Sequence, residues 1–209
     1  MSGDLTLIED FLPIDAISAK AAKEKSLRHG HISTLHLWWA RRPLVACRAA
    51  IYASLVPADE HGSQEEAREF VESLCKYPAP AGRLKEARQR ILEAHRRRTA
   101  EEGPPKVLDC FAGGGAIPLE ALRLGCEAYA LELNPVAYLI LLGTVVYPQK
   151  FGTPDPATGW RGLAEEVKQW GQWVLEHVKT EVGDLYPELE LNSISGPIQL
   201  ELSGNTTKT

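Results

Sequence analysis

Apolar positions along this chain fall into helical stripes and two short unbroken runs. Leu44, Cys47, Ile51 and Leu55 recur at spacings of three and four and predict a helix with one buried stripe. Glu65–Lys76 predicts an amphipathic helix with Phe70, Val71 and Leu74 inward, stopped by Pro78 and Pro80. Arg83–Arg98 predicts another, with Leu84, Ala87, Ile91, Leu92 and His95 along one face. Val136–Val146 reads as a helix ended by Tyr147-Pro148, with a Gly/Pro-rich loop over 151–158. The longest stripe, Leu163, Val167, Trp170, Val174, Val178 and Val182, predicts a helix over Trp160–Asp184, its tryptophans serving packing. Near the start, Ile8, Phe11, Leu12, Ile14 and Ile17 cluster around Pro13, giving a loop and then a helix from about Asp15.

The two unbroken runs are Val107–Leu108, leading into Asp109, and Ala128–Leu131, ending at Glu132. Each suits a buried parallel strand. Between them stand Gly113, Gly114 and Gly115, then a helical stretch Ala116–Leu124 with Ile117, Leu119, Leu122 and Leu124 apolar. Pro118 fits its first turn and Gly125 its end. Strand, glycine loop, helix, strand, acid is half of a doubly wound α/β sheet.

That pattern suits a nucleoside. Loop amides and a helix N-terminus take a polar tail, and an acid ending the next strand can accept both hydroxyls of a ribose. A dinucleotide and S-adenosylmethionine both meet this description. The dinucleotide fingerprint asks for a third glycine where Pro118 stands. Asp109, just before the glycines, would repel a pyrophosphate but suits a ligand with an ammonium group and a sulfonium. The balance favours S-adenosylmethionine.

Asp109-Cys110-Phe111-Ala112-Gly113-Gly114-Gly115 resembles the Asp-Pro-Phe-x-Gly-x-Gly motif of amino-group DNA methyltransferases, with Cys110 in place of the proline. Glu132-Leu133-Asn134-Pro135 resembles their acidic ribose motif, and Arg42-Pro43-Leu44 the Lys-Pro-Leu that begins their cofactor-flanking helix, with Pro43 its first residue. The stretch from His29 to Leu44 is similar to the N-terminal domain of large adenine-specific DNA methylases that carry a zinc ribbon. The likeness covers about residues 5–187. It implies a partial Rossmann-like class I methyltransferase sheet with an N-terminal helical region and a C-terminal helix. It also implies S-adenosylmethionine held by Pro43, Asp109, Phe111, Gly113–Gly115, Glu132 and Asn134.

The net charge of −5 is unevenly spread. Residues 17–50 carry seven Lys or Arg against one acid, and 83–98 seven against two, whereas 160–190 carry seven acids against three bases. A nucleic-acid face would be built from the first two segments. Its candidates are Arg28, His29, His31, His36, Trp38, Trp39, Arg41 and Arg42, with the tryptophans able either to stack on bases or to join the core. The histidines lack partners at ligand spacing for a metal, and the four scattered cysteines form no Cys-x-x-Cys pair, so no zinc ribbon is encoded. Reduced thiols, no apolar run long enough for a bilayer and no evident signal peptide give the expectation of a cytoplasmic chain. The expected division is 1–57, N-terminal helical and cofactor-flanking; 58–105, a helical insertion; 106–187, the cofactor-binding half-domain and long helix; and 188–209, a frayed tail.

Adenine-N6 methylation in the resembled class uses an Asn or Asp followed by Pro-Pro and an aromatic, and no such tetrapeptide occurs here. Asn134-Pro135 continues with Val136, and Asp15 and Asp155, each near a proline, lack the sequel. No catalytic residue is therefore assigned. The expectation is the cofactor-binding N-terminal part of a DNA adenine methyltransferase, from a truncated gene or a split enzyme whose partner carries the catalytic half. The alternatives are a non-catalytic module that binds DNA or cofactor beside such a partner, and an oxidoreductase fragment that binds a dinucleotide.

Overall fold

Helix α3 (Leu44–Leu55) carries a single charged residue, Arg48, and is buried except along the side of Ala46, Ala50 and Ser54. The computed structural model describes residues 5–27, 30–152 and 162–185, and the chain divides into two units, Met1–Gly152 and Thr153–Thr209. Leu44, Cys47 and Ile51 are buried as the expected stripe requires, but so are Val45, Arg48, Ala49, Tyr52 and Ala53. The single-stripe expectation is corrected: α3 is the axis of the helical core, not a surface helix. Around it pack α1 (Leu7–Asp10), α2 (Ile14–Ser26), α4 (Gln64–Leu74), α5 (Ala81–Thr99) and α6 (Ala116–Arg123). The inward residues of α4 and α5, including Phe70, Val71, Leu74, Ala87 and Ile91, join the same core as Val45 and Tyr52.

The sheet has two strands, β1 (Lys106–Asp109) and β2 (Glu127–Ala130), paired in parallel with Val107 opposite Ala128 and Asp109 opposite Ala130. α6 crosses between them and covers one face, where Val107 and Ala128 meet the core. The expectation that both strands are buried fails on the other face. Leu108 is 58% exposed, and Tyr129 and Leu131 are exposed with it. The reason is a missing layer: among the described residues nothing packs on that side. The described architecture is mixed α/β, mostly helical, with this small parallel sheet.

α6 begins at Ala116 and stops before Gly125, as expected. Its most buried side chains are not only apolar, since Glu120 is fully enclosed and receives Arg48 Nε at 2.5 Å. Arg48 Nη1 also donates to the carbonyls of Leu74 and Lys76, tying α3 to α6 and to the end of α4. After β2, α7 (Pro135–Leu141) passes through a π-helical turn at Leu142–Val146 into α8 (Tyr147–Phe151). The expected stop at Tyr147-Pro148 is corrected. Pro148 lies in the first turn of α8, where its absent N–H and fixed φ are tolerated.

In the second unit, α9 (Gly162–Val182) is a helix as predicted. Its Val167, Trp170, Trp173, Val174 and Val178 are all exposed, so the expected packing role of the tryptophans is not met among the described residues. Trp170 and Trp173 instead meet each other edge-on at 5.9 Å. The expected tail over 188–209 lies outside the described residues.

Candidate functional site

The carboxyl ends of β1 and β2 bring the glycine loop and Glu132 together. Glu132 Oε2 accepts the Gly113 N–H at 2.7 Å, and its Oε1 accepts the N–H groups of Leu133 and Asn134 at 2.9 and 3.0 Å. These amides hold the Glu132 carboxyl below its ordinary pKa, the Asn134 bond contributing most. Asp109 Oδ1 accepts the Phe111 N–H at 3.1 Å, which turns the chain sharply out of the strand. The Phe111 ring is 92% exposed.

Two glycines are needed for geometric reasons. Gly113 has φ +49°, and a Cβ there would stand 2.7 Å from the Trp38 indole nitrogen. Gly115 has φ +78° and caps α6, and a Cβ there would lie 2.8 Å from Leu141 Cδ2. The loop thus lets two neighbours, Trp38 and Leu141 at the end of α7, approach its backbone closely. Among the described residues the N–H groups of Gly114, Ala116 and Ile117 donate to no protein acceptor, so they are free donors at the start of α6. Trp38, Arg42, Asp109, Phe111, Gly113 and Gly114 line one cavity of about 170 Å³. Its chemistry suits a polar tail, but it is smaller than the few hundred Å³ usual for a nucleoside-sized ligand. Trp38 closes it.

The sequence candidates scatter more widely than their spacing suggests. Arg28 and His29 lie outside the described residues. His31 is corrected from a surface contact to a core residue: it is 1% exposed. Its Nδ1 accepts from Ser33 N–H and lies 3.0 Å from Arg41 Nη1, which places the ring proton on Nε2, facing Glu24 Oε1 at 3.0 Å. Arg41 is drawn into the same cluster, 3.8 Å from Glu24. His36 and Arg42 are exposed, as is Trp39, which stacks on Trp38 with ring centroids 4.8 Å apart. Asn134 caps α7 by accepting the Val136 N–H at 2.9 Å. Pro43 is the N-cap of α3 and not its first residue, so the helix begins one residue later than expected, and Pro43 does not line the glycine-loop cavity.

Glu24 is the residue that sequence reasoning missed. It is buried, and its two oxygens accept the N–H groups of Leu44 and Val45 at 2.9 Å each. Pro43 cannot cap α3 with its side chain, so a carboxylate twenty residues before Leu44 does it, in favourable alignment with the helix dipole. The signal was the spacing of Ile17, Ala21 and Glu24, which share the inward face of α2. Among the described residues no three His, Cys, Asp or Glu side chains gather as metal ligands, and no helix is long and apolar enough to cross a membrane.

A family described as a protein of unknown function (DUF1156) matches residues 11–75, a span that includes α2, the tryptophan loop, α3 and α4. No curated protein and no solved structure matches the chain.

Proposed function

We propose that this chain is the cofactor-holding part of an S-adenosylmethionine-dependent DNA methyltransferase acting on adenine N6, and that it works with a second polypeptide carrying the catalytic half. One observation supports the reading most. An acid-preceded glycine loop and a second strand-end acid meet at the carboxyl ends of two adjacent parallel strands, joined by the Gly113 to Glu132 bond. The carboxyl ends of such strands are where this class of sheet takes its ligands. The free amides of Gly114, Ala116 and Ile117 and the second oxygen of Asp109 would serve the methionine tail. The remaining acceptor capacity of Glu132 would serve the ribose. Binding then requires the Trp38 indole to move off Gly113 and Gly114, since the cavity beneath it is small.

Calorimetry with S-adenosylmethionine and with NAD as separate titrants tests the reading. Binding of the first and not the second is expected, weakened roughly tenfold or more by Asp109→Ala, which removes a charged acceptor. Glu132→Ala is a poorer probe, because it also frees three loop amides; hydrogen exchange at Gly113 separates a lost ligand contact from a loosened loop. Absence of S-adenosylmethionine binding at millimolar ligand sinks the proposal. The chain alone should transfer no tritiated methyl to duplex DNA. Holding the donor does nothing for an amine whose lone pair is delocalised into the purine, which needs oxygen acceptors set around it. Transfer by the purified chain, abolished by Asp109→Ala, would reveal a catalytic site of its own.

A further inference from the structure

Among the described residues the outer edge of β1 is open. Pro105 C=O accepts from Glu127 N–H, and Asp109 C=O accepts from Leu131 N–H. In a parallel ladder, alternate residues of one strand bond to the same neighbour. Lys106 and Leu108 therefore turn their N–H and C=O groups away from β2, and neither amide has a partner among the described residues. Beside that edge runs a groove of about 540 Å³, walled by Ala46, Ala50, Ile51 and Leu55 of α3 with Val107 and Ile117 opposite. α6 covers both strands, and α3 packs on α6. α3 thus stands out past β1, and among the described residues its apolar underside has no strand beneath it. Arg42 and Lys106 also line the groove; both are exposed, and neither forms an ion pair among the described residues.

We propose that a second polypeptide adds a β-strand at the free edge of β1, beneath α3, with aliphatic side chains at alternate positions and a carboxylate at each end. The open edge supplies main-chain hydrogen bonds, and the groove takes every second side chain, as in other strand additions. The two cations supply the charge preference. The inference holds whether or not the glycine loop binds a nucleoside. A second copy of this chain is a poor occupant. Two β1 edges joined about a two-fold axis perpendicular to the sheet run antiparallel and carry both α3 helices to the same face, each into the space that the other needs.

The probe is a short capped peptide, Glu-Val-Thr-Val-Thr-Val-Asp, titrated into the full chain with hydrogen exchange read at Lys106 and Leu108. Binding that slows exchange at both amides is expected. Methylating the peptide's alternate backbone nitrogens should abolish it, and replacing both end acids by lysine should weaken it roughly threefold or more, as exposed pairs do. Ala50→Arg should block the groove; Ser54→Arg, at a more open position, does the same should the first variant fail to fold. Equal binding of the methylated peptide would mean a site for apolar ligands and not for a strand. No binding at millimolar peptide, or protection of the same amides in peptide-free dimers seen by sedimentation, would overturn the proposal.

Discussion

The helical body around α3 and the strand pair beside it are built from similarly apolar residues and end in different states. In the body, Val45, Ala49, Tyr52 and Leu74 have no exposed surface. Across α6, Leu108 of β1 is more than half exposed, and the residues that follow β2 include Leu133 at 98%. Hydrophobicity alone does not decide burial; the presence of a second layer does. A two-stranded sheet is marginal unless something packs on it, and here, among the described residues, α6 covers one face. The candidate site sits where the filled region meets the open one, and there Glu132 ties the glycine loop, through Gly113, to the turn after β2, through Leu133 and Asn134.

The contrast can be broken most severely at the Arg48–Glu120 pair. Arg48→Ala leaves Glu120 buried with Arg123 as its remaining ion-pair partner, and should cost about 3–5 kcal/mol in urea denaturation. Arg48→Met with Glu120→Leu should recover most of that loss, because it removes both charges and the Arg48 Nη2 that has no partner. Recovery of none of it would mean that the pair specifies the packing of α3 on α6.

A matched pair of truncations comes next. Leu74→Ala in the body should cost about 2–5 kcal/mol, whereas Leu108→Ala on the open sheet face should stay within about 0.5 kcal/mol. Equal losses would show that the sheet face is covered in solution.

Acid should separate the regions with a smaller effect. Burial lowers the pKa of His61, which shares a 3.0 Å hydrogen bond with Tyr52 Oη in the body. Its neutral form is favoured by the fold, so its contribution is complete above its ordinary 6.5 and is lost as pH falls through the lowered value. Backbone N–H groups lower the pKa of Glu132, so its contribution is complete above 4.5 and is lost only below that. Thermal melts should therefore weaken below 6.5 before exchange at the Gly113 amide quickens. The reverse order would place the weak point in the loop.

The strand, glycine loop, helix and second strand were legible because each is a local pattern: a short apolar run, three glycines, a 3.6 period, an acid at a strand end. Their parallel pairing followed from the helix between them. The long-range polar contacts were not legible. Nothing near Arg48 in sequence announces Glu120, and His31 reads as a surface histidine until Glu24, Ser33 and Arg41 are seen around it. The helix past Tyr147-Pro148 is hidden because a proline reads as a stop, whereas here it sits in the first turn of α8, directly after the π-helical turn. Trp38 was readable as an aromatic with a choice of roles; its place over Gly113 depends on how the loop before α3 folds back.

That loop has an unusual closure. Its two ends, the last turn of α2 and the first turn of α3, are fastened to the same carboxylate, because Glu24 lies on one helix and accepts the leading amides of the other. The segment between behaves as a ring drawn shut at one knot. The entropy of closing a ring grows only with the logarithm of its length, about 0.6 kcal/mol for each doubling. Residues can be added to or removed from the tryptophan segment at little thermodynamic penalty, provided the knot stays tied. The exposed stretch 34–37 is thus the part that can vary in length, while His31 and Arg41 stay on Glu24 and the helix keeps its cap.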